Sequence, residues 1–316
     1  MKISVVMSVY GESNYLRESI ESILNQTFTD FEFIIVVEYP PKDILDIVNS
    51  YTDQRILVVV NNEHLGFARS LNEGIKLAKG EYIARQDADD ISCPNRLAQQ
   101  YIFLEQHPDI VMVGTSIYTI DSAGIIQETR RMNSNPNNEL LKRNCVTHGS
   151  IMIRRSVLDD VGYYNPTFKY AEDYDLWLRI SKKYQIRNLP DYLYKLRMHD
   201  TSILSQKLRE QVMESIVVRD TALREPTISD NIIASVLRSD VTPFYKNLKK
   251  KEKILYHKAL AYSYVQNADL DAVKRETREV FRLDPFDVEN DITLVASIFG
   301  IKGIKGIHQL YRRLRG

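Results

Sequence analysis

Gly80 to Asp90 reads Gly-Glu-Tyr-Ile-Ala-Arg-Gln-Asp-Ala-Asp-Asp. The segment Glu81 to Ala84 predicts a short buried strand, and the carboxylates of Asp87, Asp89 and Asp90 follow it at once. An Asp-x-Asp pattern alone is commonplace in solvated loops and before helices. Its meaning depends on the strand it follows. Open parallel sheets bind ligands outside the carboxyl ends of their strands. Carboxylates crowded there repel one another unless a hard divalent cation lies among them, and Mg²⁺ or Mn²⁺ takes one or two carboxylates together with phosphate oxygens.

The flanking sequence predicts such a sheet. Ile3 to Val9, Phe31 to Val37 and Ile56 to Val60 are strand-like runs, and they alternate with predicted helices over Tyr15 to Asn25, Asp43 to Tyr51 and Phe67 to Lys79. Apolar strands separated by helices indicate a parallel sheet covered on both faces. After Gln86 the pattern is mixed. A helix is expected over Pro94 to His107, two strands joined at Asp121 to Gly124, a strand over Ser150 to Ile153 and a helix over Asp173 to Tyr184. From about Ser202 strand signals stop, and Ala259 to Val265, Leu270 to Phe281 and Asp284-Pro285 resemble one tetratricopeptide helix pair. The expected fold class is α/β, a Rossmann-like mixed sheet flanked by helices over residues 1–201, with a C-terminal α-helical appendage over 202–316.

Composition narrows the function classes. With 316 residues, 44% hydrophobic and 27% charged, the chain is neither disordered nor a disulfide scaffold. Lys plus Arg and Asp plus Glu both number 42, so no global charge recommends a nucleic acid partner. Cys93 and Cys145 form no Cys-x-x-Cys pair, which argues against zinc. The apolar run after Lys2 is too short for a signal peptide core, and Ile292 to Ile301 is about half of what spans a bilayer. A cytoplasmic location is expected. Tyr10-Gly11-Glu12-Ser13 stands where a dinucleotide enzyme needs Gly-x-Gly-x-x-Gly and a nucleotidyltransferase a basic Gly-rich loop.

Three stretches together resemble the family 2 glycosyltransferases: Ser4 to Tyr10, Gly66 to Ile75 and Gly80 to Asp90. The resemblance covers about residues 1–200. It implies the A-type glycosyltransferase fold, a nucleotide-sugar donor, Mn²⁺ or Mg²⁺, and inversion at the anomeric carbon. It divides the catalytic part into a nucleotide-binding half, about 1–90, and an acceptor half, about 91–201. By this resemblance Asp87 and Ala88 border the nucleoside and Asp89 holds the metal. Members commonly carry Asp-Asp-x-Ser after the second strand. Val37-Glu38-Tyr39-Pro40 stands there instead, so Glu38 is the expected acceptor for a base N–H. Uracil, thymine and guanine all offer one, and a UDP-sugar is the favoured donor. Tyr10 and Glu12 line the same pocket, and Arg69 is placed to reach a phosphate. His64, where members often carry Asn or a basic residue, is not expected in the site.

The second dense constellation is Tyr170-Ala171-Glu172-Asp173-Tyr174-Asp175. Acids at a helix start complement the helix dipole, which is its ordinary explanation. An inverting transfer also needs one base for the acceptor hydroxyl, and the resemblance supplies Asp173 with Glu172 beside it. His148 is expected to contact acceptor or diphosphate, His199 to ligate the metal, and Arg197 to offset diphosphate charge. The implied role is assembly of bacterial surface polysaccharide such as O-antigen or capsule, on a saccharide acceptor carried on a lipid in some of these pathways. The basic residues Lys246, Lys249, Lys250, Lys251, Lys253, Lys258, Lys302, Lys305, Arg312, Arg313 and Arg315 suggest peripheral contact with the anionic inner face of the membrane. A nucleotidyltransferase acting on sugar phosphates and a non-catalytic helical-repeat scaffold remain the alternatives at this point.

Overall fold

The computed structural model describes residues 1–11, 14–199, 207–223, 245, 248, 250–266 and 270–284. The chain divides into two compact units, one of Met1–Ser202 with Thr221–Leu223, the other of Ile203–Asp220 with Arg224–Gly316.

In the first unit β1 (Ile3–Tyr10), α1 (Leu16–Leu24), β2 (Phe31–Glu38), α2 (Lys42–Asn49), β3 (Ile56–Asn61), α3 (Phe67–Leu77) and β4 (Tyr82–Asp87) alternate as the sequence predicts. These four strands pair in parallel, with Ile3 opposite both Phe31 and Tyr82. β1 and β2 are buried over almost their whole length, which is why they read as unbroken apolar runs. Then come β5 (Ile91–Ser92), α4 (Arg96–Gln106), β6 (Ile110–Ile120), β7 (Ile126–Arg130), α5 (Asn137–Leu140), β8 (Met152–Arg154), α6 (Arg155–Val161), α7 (Glu172–Ser181) and β9 (Gln185–Arg197). The strand order is β3-β2-β1-β4-β8-β6-β9-β5, with β7 on β6. β8 runs antiparallel to both β4 and β6, so it joins the parallel half to the mixed half.

Three local features depart from the expected pattern. Ser150 lies in a single 3₁₀ turn, His148–Ser150, because its amide and hydroxyl both donate to the Thr147 carbonyl and compete with strand pairing. α6 follows β8 without a break, at a place where no helix was expected. β9 runs through Pro190: Leu189 lies opposite Thr115 and Tyr192 opposite Ser116, so Pro190 and Asp191 bulge from the ladder where a missing N–H does no harm.

The second unit holds α8 (Leu208–Leu223) as far as Asp220, α9 (Lys250–Gln266) and α10 (Leu270–Leu283), and α9 packs against α10. A buried His257 joins them, its Nδ1 2.7 Å from Glu276 Oε2. Lys250, Lys251, Lys253 and Lys258 lie on α9. Lys246, Lys249 and the basic run from Lys302 onward lie outside the described residues, as does Ile292 to Ile301. No helix among the described residues is long and apolar enough to cross a membrane.

Candidate active site

The carboxyl ends of the parallel strands form one edge. β4 ends with Asp87 opposite Ser8 of β1, and the acidic loop begins there. The fully buried Gln86 fixes the shape of that loop. Its amide nitrogen donates to Ser19 Oγ and to the carbonyls of Asp87 and Asp90, and its oxygen accepts from Ser92 Oγ. Ser19 Oγ in turn donates to the Asp87 carbonyl at 2.6 Å. The carbonyls of Asp87 and Asp90 are thereby paired within the protein, and Ala88 packs against the core.

Two carboxylates of the loop turn inward. Asp87 accepts from Arg85 Nη2 at 2.6 Å, and burial still pushes its carboxyl above the usual range, opposed by Arg85 and reinforced by Asp89. Asp90 is buried, accepts the Arg197 amide at 2.7 Å and is raised further, burial being the main cause and the charges of Asp89 and Asp87 adding to it. Arg197 departs from expectation. Its side chain is almost wholly buried, and its guanidinium donates to the carbonyls of Asp89, Asp121 and Ser122 and to the Glu18 carboxylate while lying over the Tyr15 ring. These partners use the donors expected for the diphosphate, so Arg197 acts as a clamp on the acidic loop.

Asp89 faces outward. Its Oδ2 lies 2.8 Å from His199 Nε2, across 110 residues of sequence, and the His199 ring packs near Tyr15. The end of β9 carries His199 to this position, because the Arg197 amide is held by Asp90 two residues earlier.

Facing the loop, α7 opens with Glu172 and Asp173 and is anchored by the buried Tyr174, Trp177 and Leu178. Tyr174 Oη donates to the Leu140 carbonyl at 2.6 Å. Asp173 accepts from Asn144 Nδ2 at 2.8 Å and from the Tyr174 amide at 2.6 Å. Burial pushes its carboxyl up to about 6, with those two bonds opposing and the Asp87 charge adding to the rise. Glu172 is buried beside it. His148 Nε2 lies 2.7 Å from Tyr164 Oη, with Phe67 and Trp177 edge-on to the ring, and burial holds the imidazole neutral. Asn72 clamps Tyr164 in turn through both of its backbone polar groups. His148 is therefore packed among Phe67, Tyr164 and Trp177.

At the donor end Tyr10 is 63% exposed, and Arg69 is exposed on the first turn of α3. Glu12 lies outside the described residues. Glu38 is only 1% exposed, with Oε1 accepting from the Gly66 amide at 2.6 Å and Ser70 Oγ at 2.9 Å, and Oε2 2.8 Å from His64 Nδ1.

The glycosyl transferase family 2 model matches residues 4–162. The O-antigen biosynthesis glycosyltransferase WbnJ of Escherichia coli is 36% identical over 237 residues, 72% of this chain and 91% of that protein. The chain belongs to glycosyltransferase family 2. A second Escherichia coli relative, the UDP-Glc:alpha-D-GlcNAc-diphosphoundecaprenol beta-1,3-glucosyltransferase WfaP, is 32% identical over 227 residues, covering 70% of this chain and 87% of its own. The fold is also that of S. aureus TarS residues 1–349, solved with UDP-GlcNAc, at a TM-score of 0.60 and 19% identity over 99% of this chain and 92% of that one. The family 2 enzyme thus has the A-type glycosyltransferase fold that the resemblance implied.

Among the described residues of this glycosyltransferase no group of three His, Cys, Asp or Glu side chains is arranged to hold a metal. The Asp89 and His199 pair nevertheless fits one. Neighbouring ligands of an octahedral ion at about 2.1 Å lie about 3 Å apart, close to the 2.8 Å between these two atoms. A bound diphosphate supplies the further oxygens in such sites. Three residues of the enzyme's site were not expected from sequence. Arg85 and Arg96 are buried guanidinium groups whose charges oppose the rise of Asp87. Arg96 also donates to the Gly149 carbonyl at 2.7 Å and lies over the Tyr194 ring. Gly149 fills the remaining gap, since a Cβ there would overlap the Tyr194 hydroxyl and come within 2.5 Å of Asp87 Oδ2.

Proposed function

We propose that this glycosyltransferase moves a sugar, with inversion, from a nucleoside diphosphate sugar to a hydroxyl of a saccharide acceptor in bacterial surface polysaccharide assembly, O-antigen or capsule. A UDP-sugar is the favoured donor, since WfaP is named for UDP-Glc and TarS was solved with UDP-GlcNAc. One observation carries the reading: Asp89 and His199 meet at the carboxyl edge of the parallel strands, in the loop that begins with Asp87, whose charge reaches the raised carboxyl of Asp173.

In this reading Tyr10, Glu12 and Glu38 border the base, Asp87 and Ala88 the ribose side, and Arg69 a phosphate. Asp89 and His199 would hold Mn²⁺ or Mg²⁺, which would supply positive charge to offset that of the leaving diphosphate. Asp173 takes the proton of the acceptor hydroxyl as its oxygen attacks the anomeric carbon, with Glu172 behind it. The nucleoside diphosphate departs from the opposite face, which inverts the centre. A panel of nucleotide sugars with suitable saccharide acceptors tests this. The expected result is Mn²⁺-dependent release of a nucleoside diphosphate and a product of opposite anomeric configuration by NMR. Pyrophosphate release, or a retained configuration, would sink the proposal.

The lysines of α9, with the basic residues outside the described segments, support peripheral attachment to the anionic inner face of the membrane, where a lipid-linked acceptor is presented. Each basic residue near such a surface contributes about 1 kcal/mol. Flotation with anionic vesicles should show binding at low salt that is lost at high salt, and no binding at low salt rejects the attachment.

A further inference from the structure

The base-reading acceptor of the donor pocket follows from the hydrogen bonds around Glu38. Both oxygens of this buried carboxylate are engaged within the protein. Oε1 accepts from Gly66 N and Ser70 Oγ, fixing the start of α3, and Oε2 faces His64 Nδ1 at 2.8 Å. A carboxylate oxygen accepts, so Nδ1 is the donor of this contact, and in that tautomer Nε2 is an acceptor. His64 is 61% exposed, and its ring lies against Tyr10 with centroids 4.8 Å apart. Asn61, opposite Glu38 in register, carries an amide nitrogen without a hydrogen-bond partner among the described residues. The ring acceptor and an exposed aromatic face thus stand together at the ends of β1 and β2, with the buried Asn61 amide nitrogen, unpaired among the described residues, at the end of β3.

We infer that His64, with its tautomer set by Glu38, is the specificity-determining acceptor for the donor base, and that it selects bases bearing a ring N–H, such as uracil or guanine, over cytosine and adenine. Glu38 is then a positioning residue and not the base contact itself. The ring nitrogens of cytosine and adenine at the matching place are acceptors, and two facing acceptors repel. This inference rests on the proposed nucleoside diphosphate donor.

Calorimetric titration of UDP, GDP, CDP and ADP with Mn²⁺ tests it on the full chain. Wild type should bind UDP or GDP about tenfold or more tighter than CDP, the worth of one hydrogen bond against an unpaired acceptor. In His64→Ala the affinity for the preferred nucleotide should fall until CDP binds within about threefold of it, since that bond is lost. Glu38→Gln supplies a second arm. Its oxygen must stay with Gly66 and Ser70, so its NH₂ faces His64 and moves the ring proton to Nε2, which should raise CDP affinity relative to UDP. An unchanged preference in His64→Ala overturns the assignment while leaving the donor reading intact. Failure of wild type to bind any of the four nucleotides overturns the donor reading itself.

Discussion

Asp173→Asn is expected to lower turnover by about 10² to 10⁴-fold while leaving the affinity for the donor unchanged, the range for loss of a general base. The substitution keeps the size of the side chain and leaves an oxygen for Asn144 Nδ2 and the Tyr174 amide, but it removes the proton-accepting charge. A pH–rate profile sharpens the test. A general base must be ionised to take the proton, and burial holds the Asp173 carboxyl at about 6. The wild-type rate should therefore be level above pH 7 and fall about tenfold for each unit below 6. An unperturbed aspartate near 3.9 would keep the rate level to about pH 5. Near-wild-type transfer by Asp173→Asn removes this residue from the base role.

Asp89→Asn should behave differently. The amide can still meet His199, yet the charge that holds a cation is gone, so Mn²⁺-dependent binding of the nucleoside diphosphate and turnover should fall together. A loss of roughly 10²-fold or more is expected, because removing even a partner of a metal ligand costs 10 to 100-fold in affinity or activity. Calorimetry with and without Mn²⁺ separates the two variants: Asp173→Asn should keep the metal-dependent gain in affinity, and Asp89→Asn should lose it. Normal Mn²⁺ and nucleotide binding by Asp89→Asn removes Asp89 from the metal site.

The parallel half of the sheet was legible because β1 and β2 are buried on both faces, which leaves only apolar side chains admissible over most of their length. The acidic loop and the start of α7 were legible as clusters, since their charges adjoin in sequence. Contacts between distant residues were not. Arg85 and Arg96 carried no signal of their own, because an isolated arginine is normally exposed, and only the folded sheet brings their charges to Asp87. Arg197 read as a free cation because Glu18 and the Asp121 carbonyl lie far from it in sequence. The bulge at Pro190 was not legible, since it exists only in the pairing of β9 with β6. Glu38 was legible as the acid ending β2, while its capture by Gly66, Ser70 and His64 depends on how α3 sits on the sheet.

The glycine at position 149 also sets limits on redesign. Its hydrogen occupies a gap between the Tyr194 hydroxyl and the Asp87 carboxylate that a single methyl group overfills. Variation at this position cannot retune the pocket by small steps, because the smallest change already displaces Asp87 or the tyrosine that supports the Asp87 amide. A library aimed at new donors should hold this point constant and diversify the exposed rim, where Tyr39 and Arg69 stand open to solvent.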